Sequence, residues 1–186
     1  MLEASELEAT RGDAVLFSGL GFSLAPGSLL HVTGANGSGK TSLLRALCGL
    51  LLPSAGEVRW RGESVRRLRE EYWKCLAYVG HADALKDDLT AEENLAVGGA
   101  ARRTLRDRRA LSQGQRRRAA LARLAVSDAA PLWILDEPFA ALDTAAVELV
   151  RSLAGQHLLA GGMVVITSHQ DVRIAASSQA AINLDR

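Results

Sequence analysis

The stretch Gly34 to Thr41 reads GANGSGKT and matches the pattern G-x-x-x-x-G-K-[ST]. An apolar run at residues 29–33 (LLHVT) precedes it and predicts a buried strand, and the leucine spacing at residues 41–52 predicts a helix after it. Glycines bring backbone N–H groups close to phosphate oxygens, and the N-terminus of the following helix attracts the same anion. A glycine-rich turn with a chance lysine is the alternative, but the strand and helix on either side favour a phosphate-binding loop.

Every residue of this loop is a candidate ligand of a nucleotide. The set comprises Gly34, Ala35, Asn36, Gly37, Ser38, Gly39, Lys40 and Thr41. Lys40 would place a full positive charge on the β- and γ-phosphates, and the Thr41 hydroxyl is a candidate Mg²⁺ ligand. Lysine otherwise occurs only at positions 74 and 86, so its place inside the motif is notable.

A second apolar run, LWIL at residues 132–135, ends in two carboxylates, Asp136 and Glu137. Ligands bind at the carboxyl ends of strands in open α/β sheets, so both side chains are candidates for the same site. We predict that Asp136 holds the metal, directly or through water, and that Glu137 orients and polarises the attacking water. An acidic turn before Pro138 is the alternative.

The remaining pattern predicts an α/β fold with a mainly parallel sheet flanked by helices. Further buried strands are predicted at residues 76–79 and 163–167, and an amphipathic helix at residues 144–159. Residues 2–30 alternate as antiparallel strands do, with turn signals at Gly12-Asp13 and Pro26-Gly27. We therefore expect an antiparallel region at the edge of the sheet.

Length and composition exclude several classes of protein. The chain has 186 residues, 48% of them hydrophobic and 23% charged, which fits one globular domain and not a disordered chain. With 22 basic and 21 acidic residues, binding of nucleic acid through bulk positive charge is not expected. No apolar run is long enough to span a bilayer, and the acidic start lacks a signal-peptide pattern. Cys48 and Cys75 have no metal-ligand spacing, which favours a reducing compartment.

The segment LSQGQRRRAALARL at residues 111–124 resembles the signature of the ATP-binding cassette, whose usual form is LSGGQ. LWILDEP, Ala141-Leu142-Asp143 and His169 follow it in the order and spacing of that family. The chain thus resembles the nucleotide-binding domain of ABC transporters over nearly its whole length. Within them it is most similar to the ATP-binding subunits of the cytochrome c biogenesis haem exporter, in LFSGLGFSL, TGANGSGKTSLLRALCGLLLPSAGEVRWRG, YVGHADALKDDLTAEENL and ILDEPFAALD.

The resemblance implies a P-loop NTPase fold of the ABC type, with residues 1–186 forming a single nucleotide-binding domain and residues 82–127 its helical lobe. It implies an ATPase with ATP and Mg²⁺ as cofactors. Glu137 and His169 would be catalytic, His169 by touching the γ-phosphate. Ser112, Gly114 and Gln115 of the signature would face the γ-phosphate held by a second copy, and Asp143 would couple the two sites.

The chain departs from the family pattern at three places. His81 replaces the usual glutamine. Two roles remain open for it: a contact with Mg²⁺ or water, or a structural role in the loop. Arg11, not an aromatic residue, lies near the position that stacks on adenine, where a guanidinium plane can also stack. The segment at residues 95–111 is shorter than the usual helical lobe. Residues 96–110 carry five arginines and one acidic residue, a composition that fits either a solvated segment or a basic contact surface.

The implied partners are a second copy of the chain, integral membrane permease subunits and, indirectly, haem-handling proteins of cytochrome c biogenesis. The implied location is peripheral, on the cytoplasmic face of the bacterial inner membrane. Nucleic acid is not expected as a partner. Dimer closure on ATP would drive the membrane partner. An ABC ATPase for another substrate remains open, as do a soluble non-transport ABC protein and a module that senses ATP without hydrolysing it. Residues 42–110 leave no room for the coiled coil of repair proteins.

Overall fold

The computed structural model describes residues 1–80, 121–122, 124, 130–170 and 173–185. Its strands are β1 (Leu2–Arg11), β2 (Ala14–Leu24), β3 (Ser28–Thr33), β4 (Ala55–Trp60), β5 (Glu63–Ser64), β6 (Leu76–Val79), β7 (Leu132–Asp136), β8 (Met163–Thr167) and β9 (Ser178–Asn183). Its helices are α1 (Lys40–Leu47), α2 (Val65–Leu68), α3 (Glu70–Trp73) and α4 (Thr144–Leu159). The predicted lobe at residues 82–127 lies outside the described residues except at positions 121, 122 and 124.

Five strands form a fully parallel sheet in the order β6-β7-β8-β3-β9. This confirms the predicted parallel sheet, with β6, β8 and α4 at the predicted residues. Thr167 pairs in register with Val32 on one side and with Asp136 on the other. Because parallel strands end at one edge, the segments after β3, β7 and β8 all emerge there.

The predicted antiparallel region is also confirmed, and it forms a second sheet of its own in the order β2-β1-β4-β5. Its second strand ends at Leu24, earlier than the predicted limit at residue 30. After Pro26 the chain crosses to the parallel sheet, and the Gly27 N–H donates to the Gly162 carbonyl at 2.7 Å. The hairpin of β1 and β2 is thereby placed against the parallel sheet.

Apolar side chains fill both faces of the parallel sheet. Leu132 and Ile134 belong to the cluster between the two sheets, whereas Trp133 and Leu135 belong to the cluster that contains residues of α4. The strand β7 is fully buried. A strand buried on both faces reads as a continuous apolar run, which is why LWIL was predicted as a strand from sequence.

Helix α1 ends earlier than the leucine pattern predicted. The predicted helix covered residues 41–52, but α1 stops at Leu47, and Gly49 has a φ of 72°. A glycine in the left-handed conformation terminates helices, and this outweighs the apolar periodicity. As a result Leu50 and Leu52 leave the helix and are 56% and 62% exposed.

Within the described ranges, no helix combines the length and the apolar character needed to cross a bilayer.

Cys48 and Cys75 are both free. Burial, with the charge of Asp136 as a second cause, raises the pKa of the Cys48 thiol, so this thiol stays protonated at neutral pH.

Candidate nucleotide-binding site

A cleft of about 500 Å³ opens at the carboxyl edge of the parallel sheet. It is lined by Arg11, Leu16, Asn36, Gly37, Gly39, Lys40, Thr41, Ser42, Asp136, Glu137, Ala140 and His169. The β1–β2 hairpin, the phosphate-binding loop and the segments after β7 and β8 each contribute to it. The structure thus brings most of the sequence-predicted candidates of the described residues into one cavity.

The backbone of the phosphate-binding loop has the shape that its glycines were expected to allow. Gly37 and Gly39 have φ angles of 86° and 104°, which residues with side chains rarely adopt. A Cβ on Gly39 would also lie 3.0 Å from the Cβ of Leu16, so a side chain there would press on the hairpin. Helix α1 starts at Lys40 without a side-chain cap, which leaves its N–H groups for a ligand in the cleft.

The Lys40 ammonium lies over the loop that precedes it. Its Nζ donates to the carbonyls of Gly34 at 2.6 Å and Ala35 at 3.1 Å, and it lies 3.5 Å from the His169 Nε2. These contacts hold the positive charge at the mouth of the cleft. An anion entering there would meet the ammonium together with the first N–H groups of α1.

Asp136 is almost completely buried, and each of its carboxylate oxygens accepts a hydrogen bond from a threonine. Thr41 donates to Oδ2 and Thr167 donates to Oδ1, both at 2.8 Å. A hydroxyl and a carboxylate oxygen therefore sit side by side at the start of α1. This oxygen pair fits Mg²⁺, which takes few protein ligands and completes its shell with phosphate and water.

Glu137 directly follows β7 in a left-handed conformation, with a φ of 51°. A residue with a side chain rarely adopts this conformation, and such strain concentrates at functional sites. The Glu137 Oε2 accepts the backbone N–H of His169 at 3.3 Å, and its Oε1 lies 3.5 Å from the His169 Nε2. The carboxylate and the imidazole thus lie next to each other in the cleft.

Two residues that no motif indicates support the site. Thr167 is fully buried, and besides holding Asp136 its Oγ1 accepts the Glu137 N–H at 2.9 Å. The polar end of the run MVVIT was a usable signal for it. Asp185 accepts the Ala35 N–H at 2.5 Å and so anchors the phosphate-binding loop. No local pattern indicates that contact, because it joins residues 150 positions apart.

The other candidates divide into three groups. Asp143 caps α4, its Oδ1 accepting the Ala146 N–H at 2.9 Å, so a coupling role across a dimer stays a prediction. Arg11 lines the cleft, but its stacking on adenine also stays a prediction. His81, Ser112, Gly114 and Gln115 lie outside the described residues.

We expect the substitution Thr167→Val to destabilise the fold by about 1–3 kcal/mol, because it leaves the Asp136 Oδ1 and the Glu137 N–H without this partner in a buried place. Thr167→Ser keeps the hydroxyl and is the matched control. Denaturant unfolding of both variants measures the difference. Equal midpoints for the two would show that the hydroxyl contributes nothing.

Comparison with known proteins gives one family model, described as ABC transporter, that matches residues 17–140. The chain is 48% identical to the "Cytochrome c biogenesis ATP-binding export protein CcmA" of Nitrosospira multiformis, with 95% of each chain covered. It is 42% identical to the protein of the same name from Shigella flexneri, covering 99% of this chain and 96% of that one.

Solved structures show the same fold. The ATP-binding subunit of an ABC transporter superimposes with a TM-score of 0.78 at 22% identity, covering 91% of this chain and 79% of that chain. A dimeric bacterial ABC transporter cassette gives a TM-score of 0.77 at 23% identity, covering 91% and 88%.

Proposed function

The chain belongs to the ABC transporter family, and from this membership we propose that it is the ATP-hydrolysing subunit of a haem exporter for cytochrome c maturation, with residues 1–186 as one nucleotide-binding domain. The observation that carries the proposal is the convergence of Lys40, Asp136, Glu137 and His169 on one cleft. The similarity over nearly the whole chain to cytochrome c biogenesis ATP-binding export proteins supports the haem-export part.

The cleft offers each part of the ATP molecule a separate contact. The triphosphate lies against the phosphate-binding loop, where the Lys40 ammonium turns from the Gly34 and Ala35 carbonyls to the β- and γ-phosphates. Arg11 and Leu16, on the hairpin side of the cleft, hold the base, with the guanidinium plane stacked on it.

Thr41 and Asp136 would hold Mg²⁺, which when bound neutralises charge on the phosphate oxygens. Glu137 takes a proton from the attacking water and so acts as the general base. Its orientation depends on the His169 N–H, which it accepts, and on the backbone contact with Thr167. The His169 Nε2 lies 3.5 Å from both the Lys40 Nζ and the Glu137 Oε1, and there it contacts the γ-phosphate.

A second copy of the chain completes each site in this proposal. The chain has one phosphate-binding loop and one signature, and the family resemblance implies that these face each other from opposite subunits of a two-fold dimer. Ser112, Gly114 and Gln115 then bind the γ-phosphate held by the other copy, and Asp143 lies in the loop that couples the two sites. Hydrolysis removes the bridging γ-phosphate, and the dimer opens.

An exposed apolar patch offers a place for the membrane partner. Leu50, Leu52 and Trp73 are 56%, 62% and 50% exposed, and the Trp73 indole is fixed by donating to the Cys48 carbonyl at 3.1 Å. The patch borders two hollows of about 350 and 450 Å³ that share Gly49, Val65 and Arg66 in their walls. Exposed apolar clusters of this kind mark interaction sites.

We place a cytoplasmic segment of the permease on this patch. This puts the chain at the cytoplasmic face of the inner membrane as a peripheral subunit, with haem-handling proteins contacted only through the permease. Nucleic acid has no part in this arrangement.

We expect Leu52→Glu to remove the permease from the complex, because a carboxylate cannot be desolvated in an apolar contact. ATP hydrolysis by the isolated chain should stay within about twofold of the unmodified rate. Leu159→Glu is the control, since Leu159 is 75% exposed but lies at the end of α4. The test is co-purification of the permease in detergent with each variant. Equal recovery with both variants would place the contact elsewhere.

The proposal as a whole is tested on the detergent-purified complex. We expect ATP-dependent phosphate release, together with haem absorbance that changes when ATP is added. Phosphate release with another cargo and no haem would overturn the haem-export part. A complex that binds ATP without releasing phosphate would overturn the enzymatic part.

A further inference from the structure

His31, which belongs to none of the sequence motifs, contacts the loop that carries His169 from the side opposite the cleft. His31 lies on β3, and its Nε2 is 3.3 Å from the carbonyl oxygen of Ser168, the residue before His169. A carbonyl oxygen only accepts hydrogen bonds, so the His31 Nε2 must carry the proton and donate. This bond links β3 to the segment that positions His169.

The side chain of His31 lies on the face of the sheet away from the phosphate-binding loop. Leu30 and Val32 belong to the cluster between the two sheets, whereas Leu29 belongs to the cluster that contains residues of α4. Because side chains alternate along a strand, His31 shares the face of Leu29. It therefore reaches the loop from behind.

A cavity of about 100 Å³ lies at this position, and both His31 and Ser168 line it. Ser168 is itself buried, and its Oγ accepts the Gln170 N–H at 2.9 Å and donates to the Gln170 carbonyl at 3.1 Å. These bonds close the loop into a compact turn. The turn contains His169 between its two hydrogen-bonded ends.

The turn is thus attached at two points on opposite sides. In front, the His169 N–H donates to the Glu137 carboxylate at 3.3 Å, and behind, the Ser168 carbonyl accepts from His31. The front contact involves the group that must be free to take a proton from water. The rear contact holds the same peptide bond by its carbonyl end, without using the Glu137 carboxylate, and so it can fix the turn while that carboxylate takes the proton.

We propose that His31 is a positioning residue for ATP hydrolysis, acting through the Ser168 carbonyl to hold His169 at the γ-phosphate. The inference rests on the proposed ATPase function. It predicts an effect on turnover and not on nucleotide binding, because His31 does not line the cleft.

The test compares variants of the full chain in steady-state phosphate release. We expect His31→Leu, which has no donor, to lower kcat by about 3- to 10-fold, the equivalent of one lost hydrogen bond, with KM for ATP within about twofold. His31→Gln can still donate and should keep at least roughly half of the activity. His31→Asn, too short to reach, should behave as His31→Leu does.

Gln179→Leu is the matched control. Gln179 lines the same cavity and also donates to a backbone carbonyl, that of Ile174 at 2.8 Å, but this acceptor lies outside the turn at residues 168–170. It should retain the unmodified kcat. A loss equal to that of His31→Leu would show a general effect on the cavity and overturn the inference.

A double substitution separates positioning from stability. If His31 acts through His169, adding His31→Leu to His169→Ala should lower kcat by less than about 1.5-fold further. A full additional loss, an unchanged kcat in His31→Leu or no rescue by His31→Gln would each overturn the inference. Failure of the proposed function itself is distinguished by the unmodified chain, which would then release no phosphate.

Discussion

Lys40→Ala is expected to weaken ATP binding by on the order of 100-fold, since several charge-assisted hydrogen bonds are lost together. The ammonium is already held at the mouth of the cleft by the Gly34 and Ala35 carbonyls, so it needs little rearrangement to meet a phosphate. With an alanine, the N–H groups of the loop and of α1 remain, but these carry only partial charge. Titration calorimetry with ATP measures the change.

Lys74→Ala is the control for the loss of one positive charge. Lys74 is paired with Glu71 at 2.6 Å, and its side chain is 68% exposed. Its removal alters the net charge by the same amount but leaves the cleft unchanged. If the two variants bound ATP equally well, bulk charge and not the position of Lys40 would govern affinity, and the site assignment would be wrong.

Much of the fold was predictable because several strands of the parallel sheet are continuous apolar runs, and β7 and β8 are buried throughout. β6, β7 and β8 read as continuous apolar runs bounded by turns, and such runs can be recognised without any tertiary information. By contrast β4 (AGEVRW) has charged and exposed positions and was not predicted. Its place depends on pairing with β1, which is distant in sequence.

The same distinction applies to the site. The phosphate-binding loop and the Asp136-Glu137 pair were predictable, because their chemistry is carried by neighbouring residues. The long-range contacts that support this chemistry were not predictable. Thr167, Asp185 and His31 act through contacts with residues 30 to 150 positions away, and nothing in the local sequence selects their partners.

A hydrogen-bond network around Thr167 holds Glu137 in its strained backbone conformation. Glu137 has a positive φ, and its N–H is held by the Thr167 hydroxyl. The strain is offset by a buried network that ties the ends of β7 and β8 together. Because the same network holds Asp136, the metal-binding and base positions are fixed relative to each other.

Glu137→Gln is expected to lower the rate of phosphate release by about 10²- to 10⁴-fold while leaving ATP binding intact. The amide has nearly the shape of the carboxylate, and its oxygen can still accept the His169 N–H that Glu137 accepts at 3.3 Å. What it loses is the ability to take a proton from water. Single-turnover phosphate release, with a parallel binding titration, separates the two effects.

The same variant tests the dimer. With hydrolysis blocked, the γ-phosphate stays in place, and we expect ATP to convert the chain from monomer to dimer on size exclusion with light scattering. Glu148→Gln is the control, because Glu148 is exposed on α4 and pairs with Arg151 outside the cleft. Normal turnover in Glu137→Gln would remove Glu137 from the role of base. Slow turnover without an ATP-dependent dimer would instead support Glu137 as the general base. It would also show that the γ-phosphate does not bridge two copies of the chain.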